Sequence, residues 1–290
     1  MFKLDVTLKF IAAFTIMLSA AQLILSFKEL YMFFSSEVKV IDIIKNEHGK
    51  MWIYDTSKER CLSFKDPRLG RLSRQSCITL ADVDEIVFDY QKSILSALYM
   101  NTGPKKVLMI GLGGGTLAKA ILALLPDVTL DIVEINRDMP YVAKQHFFFN
   151  ATEKTNIVIM DGAEFIRHKA QQYSKQGYDF IIMDAFDQDY IPDHFLKKEF
   201  VMQLKEIMRD GGILAVNTFT SSKHYERETE LYHAIFGKFW SLSTQNRVIL
   251  ATKEPLLNMD IISMNAKLWR EKFSSLDIDS DLLLKKFTIE

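Results

Sequence analysis

Cysteine is scarce in this 290-residue chain, which holds only Cys61 and Cys77. So few thiols exclude a disulfide scaffold and a cysteine-rich zinc site, and both residues are expected to be ordinary reduced thiols. Charge of one sign is lacking too: the formal net charge is −1, so no basic field recruits nucleic acid. The six histidines show no ligand spacing, and His194 alone falls near the features described below, so no metal is expected. Internal repeats and low-complexity tracts are absent as well. What is present is a 48% hydrophobic composition, enough for a sizeable core in one large domain or a medium domain with an appendage.

One long run lacks charge altogether. "FIAAFTIMLSAAQLILSF", Phe10 to Phe27, follows Lys3 and Lys9 and lies at the lower edge of membrane-spanning length. A membrane anchor is the leading expectation for it. "MLSAAQ" also resembles a signal-peptide cleavage site, and Thr15, Ser19, Gln22 and Ser26 suit a buried soluble helix. The preceding lysines place the N-terminus in the cytoplasm, which for a single span would export the remainder. A cytoplasmic location for the rest of the chain is nevertheless the expectation, so the topology stays open.

The chain then divides into three parts: a hydrophobic N-terminal helix over 1–36, a small β domain over 37–82, and a large domain over 83–290. "VKVIDII" and "MWIYD", separated by the turn "NEHGK", predict hairpins too short to be stable alone. "DVDEIVFDYQKSILSALYM" carries Ile86, Val87, Tyr90, Ile94, Leu95 and Leu98 at helical spacing. After Pro104, strands such as "KVLMIGL", "TLDIVEI", "NIVIM", "YDFIIMDAF", "GILAVNTF" and "NRVILATK" alternate with amphipathic helices. Nearly continuous apolar strands with intervening helices imply an α/β, Rossmann-like fold, a mostly parallel sheet covered on both faces.

Ligands of such sheets bind at the carboxyl ends of the strands. Four features fall there. Gly111, Gly113 and Gly115 form a glycine turn that lets a ligand approach the backbone at a helix N-terminus. Glu134 ends the second strand, where an acid can accept both ribose hydroxyls. Asp161 and Gly162 follow the third strand, and Asp184 the fourth. A dinucleotide fingerprint requires glycine where Thr116 stands, so the set points to an adenosyl ligand of the S-adenosylmethionine type.

"MDAFDQDYIPDHF" adds Asp187, Asp189 and Asp193 to the loop after the fourth strand. A solvated acidic loop accounts for Asp189 and Asp193. Asp184 is placed at the crevice mouth, where a carboxylate can accept the proton of an ammonium and so free its lone pair. Asp187, three positions on, could hold a second ammonium of the same substrate. "VLMIGLGGGTL", "DIVEIN", "MDGAEFI", "YDFIIMDAFDQDYIPDHFLKKEF" and "GGILAVNTF" together resemble the spermidine synthase (polyamine aminopropyltransferase) family, in its bacterial membrane-associated branch. The resemblance implies that Asp184 accepts the proton, that Asp187, Gln75 and Tyr190 face the substrate, and that the glycines, Glu134, Asp161 and Gly162 hold the adenosyl group. It further implies decarboxylated S-adenosylmethionine as co-substrate, putrescine or a related amine as acceptor, and a homodimer.

Three departures fall on substrate recognition. The family's glycine loop reads G-G-G-D-G-G, whereas Gly114 occupies the acid's position. "QDYIPDH" replaces the run toward Gly-Pro, and Phe88-Asp89 replaces Tyr-His unless Tyr90 serves as the tyrosine. Aminopropyl transfer is therefore the leading expectation. Methyl transfer from intact S-adenosylmethionine is the alternative suggested by the acid-free loop, and a membrane-tethered, nonenzymatic polyamine or adenosyl sensor is the third.

Overall fold

Alternation in the N-terminal part and continuous apolar strands beyond it give two sheets in the computed structural model, which describes residues 38–69, 72–172, 177–186 and 191–290. The hydrophobic run Phe10–Phe27 lies outside the described residues. Among the described residues, no helix is long and apolar enough to cross a membrane.

The small sheet is antiparallel, with β1 (Lys39–Asn46), β2 (Gly49–Asp55), β3 (Glu59–Ser63) and β4 (Ser76–Thr79) in sequential order. Its inward residues Met51, Ile53, Leu62 and Ile78 join the core of the large sheet, which supplies the support that so short a sheet needs. One expectation is overturned here. Cys61 and Cys77 are joined in a disulfide rather than left as reduced thiols. They stand directly opposite each other in the β3–β4 register, with Cα atoms 4.2 Å apart. Strand register, which a cysteine count does not carry, makes them partners.

A shorter helix than expected follows. Residues 82–88 are not helical, because Asp82 makes turn contacts of its own. Its N–H donates to Thr79 Oγ1, and its carboxylate accepts the Asp84 N–H at 3.0 Å. The helix α1 runs only over Asp89–Leu95 and tightens into a 3₁₀ turn at Ser96–Tyr99.

The large sheet contains β5 (Lys106–Ile110), β6 (Thr129–Glu134), β7 (Thr155–Ile159), β8 (Tyr178–Met183), β9 (Met208–Phe219), β10 (Trp240–Ser243), β11 (Asn246–Thr252) and β12 (Phe287–Ile289). Their spatial order is β12-β10-β11-β9-β8-β5-β6-β7. From β7 to β9 all pairings are parallel, and β11, β10 and β12 add an antiparallel edge. The intervening helices are α2 (Thr116–Leu124), α3 (Met139–Phe147), α4 (Gly162–Gln171), α5 (Lys198–Glu206), α6 (Tyr225–Phe236), α7 (Met259–Ser274) and α8 (Ser280–Leu284).

Successive strand residues point to opposite faces, and the two cores follow that alternation. Val107, Met109, Ile132 and Ile182 pack with Ile94, Leu117, Val142 and Trp269 of α1, α2, α3 and α7. Leu108, Ile110, Val133 and Ile181 pack with Ile166, Phe200 and Tyr232 of α4, α5 and α6. Strand order reverses at β5, whose two neighbours are β6 and β8, so a crevice opens where their carboxyl ends part.

Candidate active site

A cavity of about 350 Å³ occupies that crevice, and the small sheet closes it with Leu62, Phe64, Gln75 and Ser76. Its floor is the glycine turn. Gly111 adopts φ +94°, and a Cβ there would meet the Asp184 carbonyl oxygen at 2.3 Å. Only glycine lets the ends of β5 and β8 approach so closely. Gly114 is closed off differently. A Cβ on it would meet Ser76 Cβ at 2.9 Å and Phe147 Cγ at 3.0 Å, and its N–H donates to Ser76 Oγ at 2.8 Å. The position where the resembled family carries an acid has no room for a side chain. Gly111 and Gly113 line the cavity, whereas Gly115 caps α2 beneath Phe149 and lies outside the wall.

Glu134 and Asp161 line the cavity at the carboxyl ends of β6 and β7. Glu134 is 7% exposed and accepts the backbone N–H groups of Leu112 at 2.9 Å and Asn136 at 2.8 Å. Burial pushes its carboxyl above the usual range, and those backbone bonds oppose the shift. Each oxygen retains a second lone pair that can face a vicinal diol. Asp161 caps α4 by accepting the Glu164 N–H at 2.9 Å, with His194 Nε2 at 3.3 Å from its other oxygen. Gly162 lies behind it against Ile110 and Phe195.

Asp184 sits across the cavity. Its Oδ1 accepts from Asn217 Nδ2 at 2.8 Å, and its Oδ2 accepts the Tyr90 hydroxyl at 3.2 Å. Desolvation raises this carboxyl to about 6, and the two donors hold it from rising further. Tyr90 is pushed well above its ordinary value by burial and by the carboxylate beside it, so it remains a donor. At neutral pH the site presents a half-buried, mostly ionised carboxylate with a proton affinity well above that of an exposed aspartate.

The structure thus brings Gly111, Gly113, Glu134, Asp161, Gly162, Asp184 and the half-buried Gln75 into one cavity. Asp187 and Tyr190 lie outside the described residues. Sequence reasoning missed Ser76, Gln91 and Asn217. Gln91 Nε2 donates to Thr116 Oγ1 at 2.9 Å and ties α1 to the start of α2. Asn217 lies near the carboxyl end of β9, the strand beside β8, and that placement is a usable signal. Ser76 left none, because the docking of one sheet on another has no local sequence mark.

Residues 88–263 match the family model of the spermine/spermidine synthase domain. The chain is 33% identical over 228 residues to a polyamine aminopropyltransferase of Vibrio vulnificus, covering 77% of this chain and 75% of that protein. Among solved structures, a probable spermidine synthase from Corynebacterium glutamicum superposes with a TM-score of 0.66 at 14% identity, covering 86% of this chain and 90% of that one. Human methyltransferase-like protein 13, in complex with SAH, gives a TM-score of 0.60 at 21% identity, covering 64% of this chain and 93% of that one. Both structural likenesses speak to the fold.

Proposed function

The chain belongs to the spermine/spermidine synthase family, and from this premise we propose that it is a polyamine aminopropyltransferase in which Asp184 accepts the proton of the attacking amine. The donor is decarboxylated S-adenosylmethionine, and the acceptor is putrescine or a related amine. One observation carries the assignment of the base: Asp184 is a half-buried carboxylate held by two donors on the wall of the crevice, across from Glu134.

An aliphatic amine with a pKa of roughly 10 is protonated at neutral pH and has no free lone pair. Asp184 attracts the ammonium and takes one proton as the nitrogen bonds to the methylene beside the sulfonium. The carbon–sulfur bond breaks with its electron pair passing to sulfur, so methylthioadenosine leaves uncharged. Raising the carboxyl from 3.8 to about 6 brings it closer to the amine while leaving it ionised at pH 7. Gly111, Gly113, Glu134 and Asp161 hold the adenosyl moiety in this reading, and Gln75 faces the substrate tail.

The crowded environment of Gly114 supports a second reading. Without an acid there, nothing at that position selects the decarboxylated donor, and intact S-adenosylmethionine with methyl transfer becomes the alternative. One experiment separates the two. Purified protein is incubated with either donor and a panel of amines, and the products are identified by mass spectrometry. Polyamine plus methylthioadenosine from the decarboxylated donor is the expected result. Donor binding with no polyamine product from any amine overturns the proposal, and methylated product establishes the alternative.

A further inference from the structure

Asp184 is the end of a chain of amides. Asn217 Nδ2 donates to Asp184 Oδ1 at 2.8 Å, and Asn217 Oδ1 in turn accepts from Asn246 Nδ2 at 2.9 Å. Asn217 is 2% exposed, so both ends of its amide need protein partners. Asn246 opens β11 after a tight turn that is itself fastened. The Thr244 N–H donates to the Asn246 carbonyl at 2.7 Å, and the Thr220 hydroxyl donates to the Gln245 carbonyl at 2.8 Å.

An amide placed beside a carboxylate can present either its NH₂ or its oxygen. With the NH₂ toward Asp184 it favours the charged form, and with the oxygen there it repels that form. Asn246 donates to the oxygen and so holds the productive orientation. We propose that Asn217 and Asn246 are positioning residues for aminopropyl transfer, with Asn246 fixing the Asn217 amide so that it presents a donor to Asp184.

The inference rests on Asp184 being the proton acceptor. Among the described residues, the other titratable groups lining this cavity are Tyr90 from α1, Glu134 at the end of β6, His48 in the turn between β1 and β2, and Asp161 and His194. None of them contacts Asn246. Among the described residues, Asn217 is what links Asn246 to Asp184 by hydrogen bonds.

The test compares Asn246→Asp with Asn246→Ala, reading the pH profile of kcat/KM from methylthioadenosine release. An ionised aspartate at 246 cannot donate. It attracts the Asn217 NH₂ instead and turns the amide oxygen toward Asp184. Asn246→Ala leaves the Asn217 amide able to choose the donating orientation. The expected result is an acid limb that moves up by about one pH unit in Asn246→Asp, a tenfold loss below the limb, and by much less in Asn246→Ala. In an Asn217→Ala background, the difference between the two Asn246 variants shrinks to the direct electrostatic effect of the added carboxylate.

A purely structural role for Asn246 would lower the rate equally at every pH, and an unmoved limb in Asn246→Asp overturns the inference. Should Asn246→Asp fail to fold, as judged by thermal denaturation, Asn217→Ala alone carries the test, because loss of its donor must raise the limb. Asp184→Asn serves as the parallel control. If that variant keeps wild-type turnover, the base assignment falls; if it is inactive while the limbs stay fixed, the amide relay alone falls.

Discussion

Replacing Asp184 with asparagine preserves the shape of the side chain and removes its charge. The amide oxygen can still accept from Asn217 and the amide NH₂ can donate to the Tyr90 oxygen, but the Tyr90 O–H loses its acceptor, which offsets part of any gain in stability. Two effects of opposite sign follow. Loss of the general base lowers turnover by about 10²–10⁴-fold. Stability moves the other way. The folded protein holds the Asp184 proton up to about pH 6, whereas an unfolded chain releases it near 3.8.

The native state therefore binds more protons between those values, and stability falls as pH rises through that window. Above it the penalty is fully present, at about 1.4 kcal/mol per pH unit or roughly 3 kcal/mol in all. Asp184→Asn is thus expected to be about 1–3 kcal/mol more stable than wild type at pH 7.5, and the two should converge near pH 4. Methylthioadenosine release measures the first effect, and urea denaturation at a series of pH values the second. Turnover within tenfold of wild type would remove Asp184 from the chemistry. Parallel stability curves across pH 4–8 would refute the claim that its carboxylate is desolvated.

Gly111→Ala pushes a methyl group into the Asp184 carbonyl at a positive φ and should cost at least about 2 kcal/mol in denaturation. Calorimetry should also show donor binding lost. Ser76→Ala orphans the buried Gly114 N–H at a cost of about 1–3 kcal/mol, and faster hydrogen exchange at that amide reports it directly. Removing the Cys61–Cys77 bond, which spans a sequence separation of 16, should cost about 3 kcal/mol. Identical urea curves with and without reductant would contradict that expectation.

Alternation of strands and helices was legible because an all-buried parallel strand leaves an unbroken apolar run, as in "KVLMI" and "DFIIM". Glu134, Asp161 and Asp184 were legible for a related reason, since each polar residue directly follows such a run and so falls at a strand's carboxyl end. The edge was harder. β10 is Trp240–Ser243 and β12 only Phe287–Ile289, too short to show a period, and β12 is secured by Arg247 reaching Glu290 at 2.6 Å across the sheet. Ile86 and Val87 fit a helical spacing yet lie in irregular chain, because burial of Ile86 satisfies its hydrophobicity without a helix. Gly115, which fits a ligand-binding pattern, caps the helix Thr116–Leu124. Contacts between distant segments, such as the cysteine pair, Ser76 with Gly114, and Asn246 with Asn217, depend on register and docking that no local window records.

The contact of Gly111 with the Asp184 carbonyl also constrains how the site can diverge. The cavity floor at Gly111 and the backbone that carries Asp184 form one close joint, with no space for a side chain between them. Neither can be moved to suit a larger or differently charged acceptor without displacing the other. Variation in acceptor choice is thereby directed to walls that do not share the joint, such as His48, Phe64 and Gln75. The small sheet can thus be altered to change what the enzyme acts on while the reaction centre stays as it is.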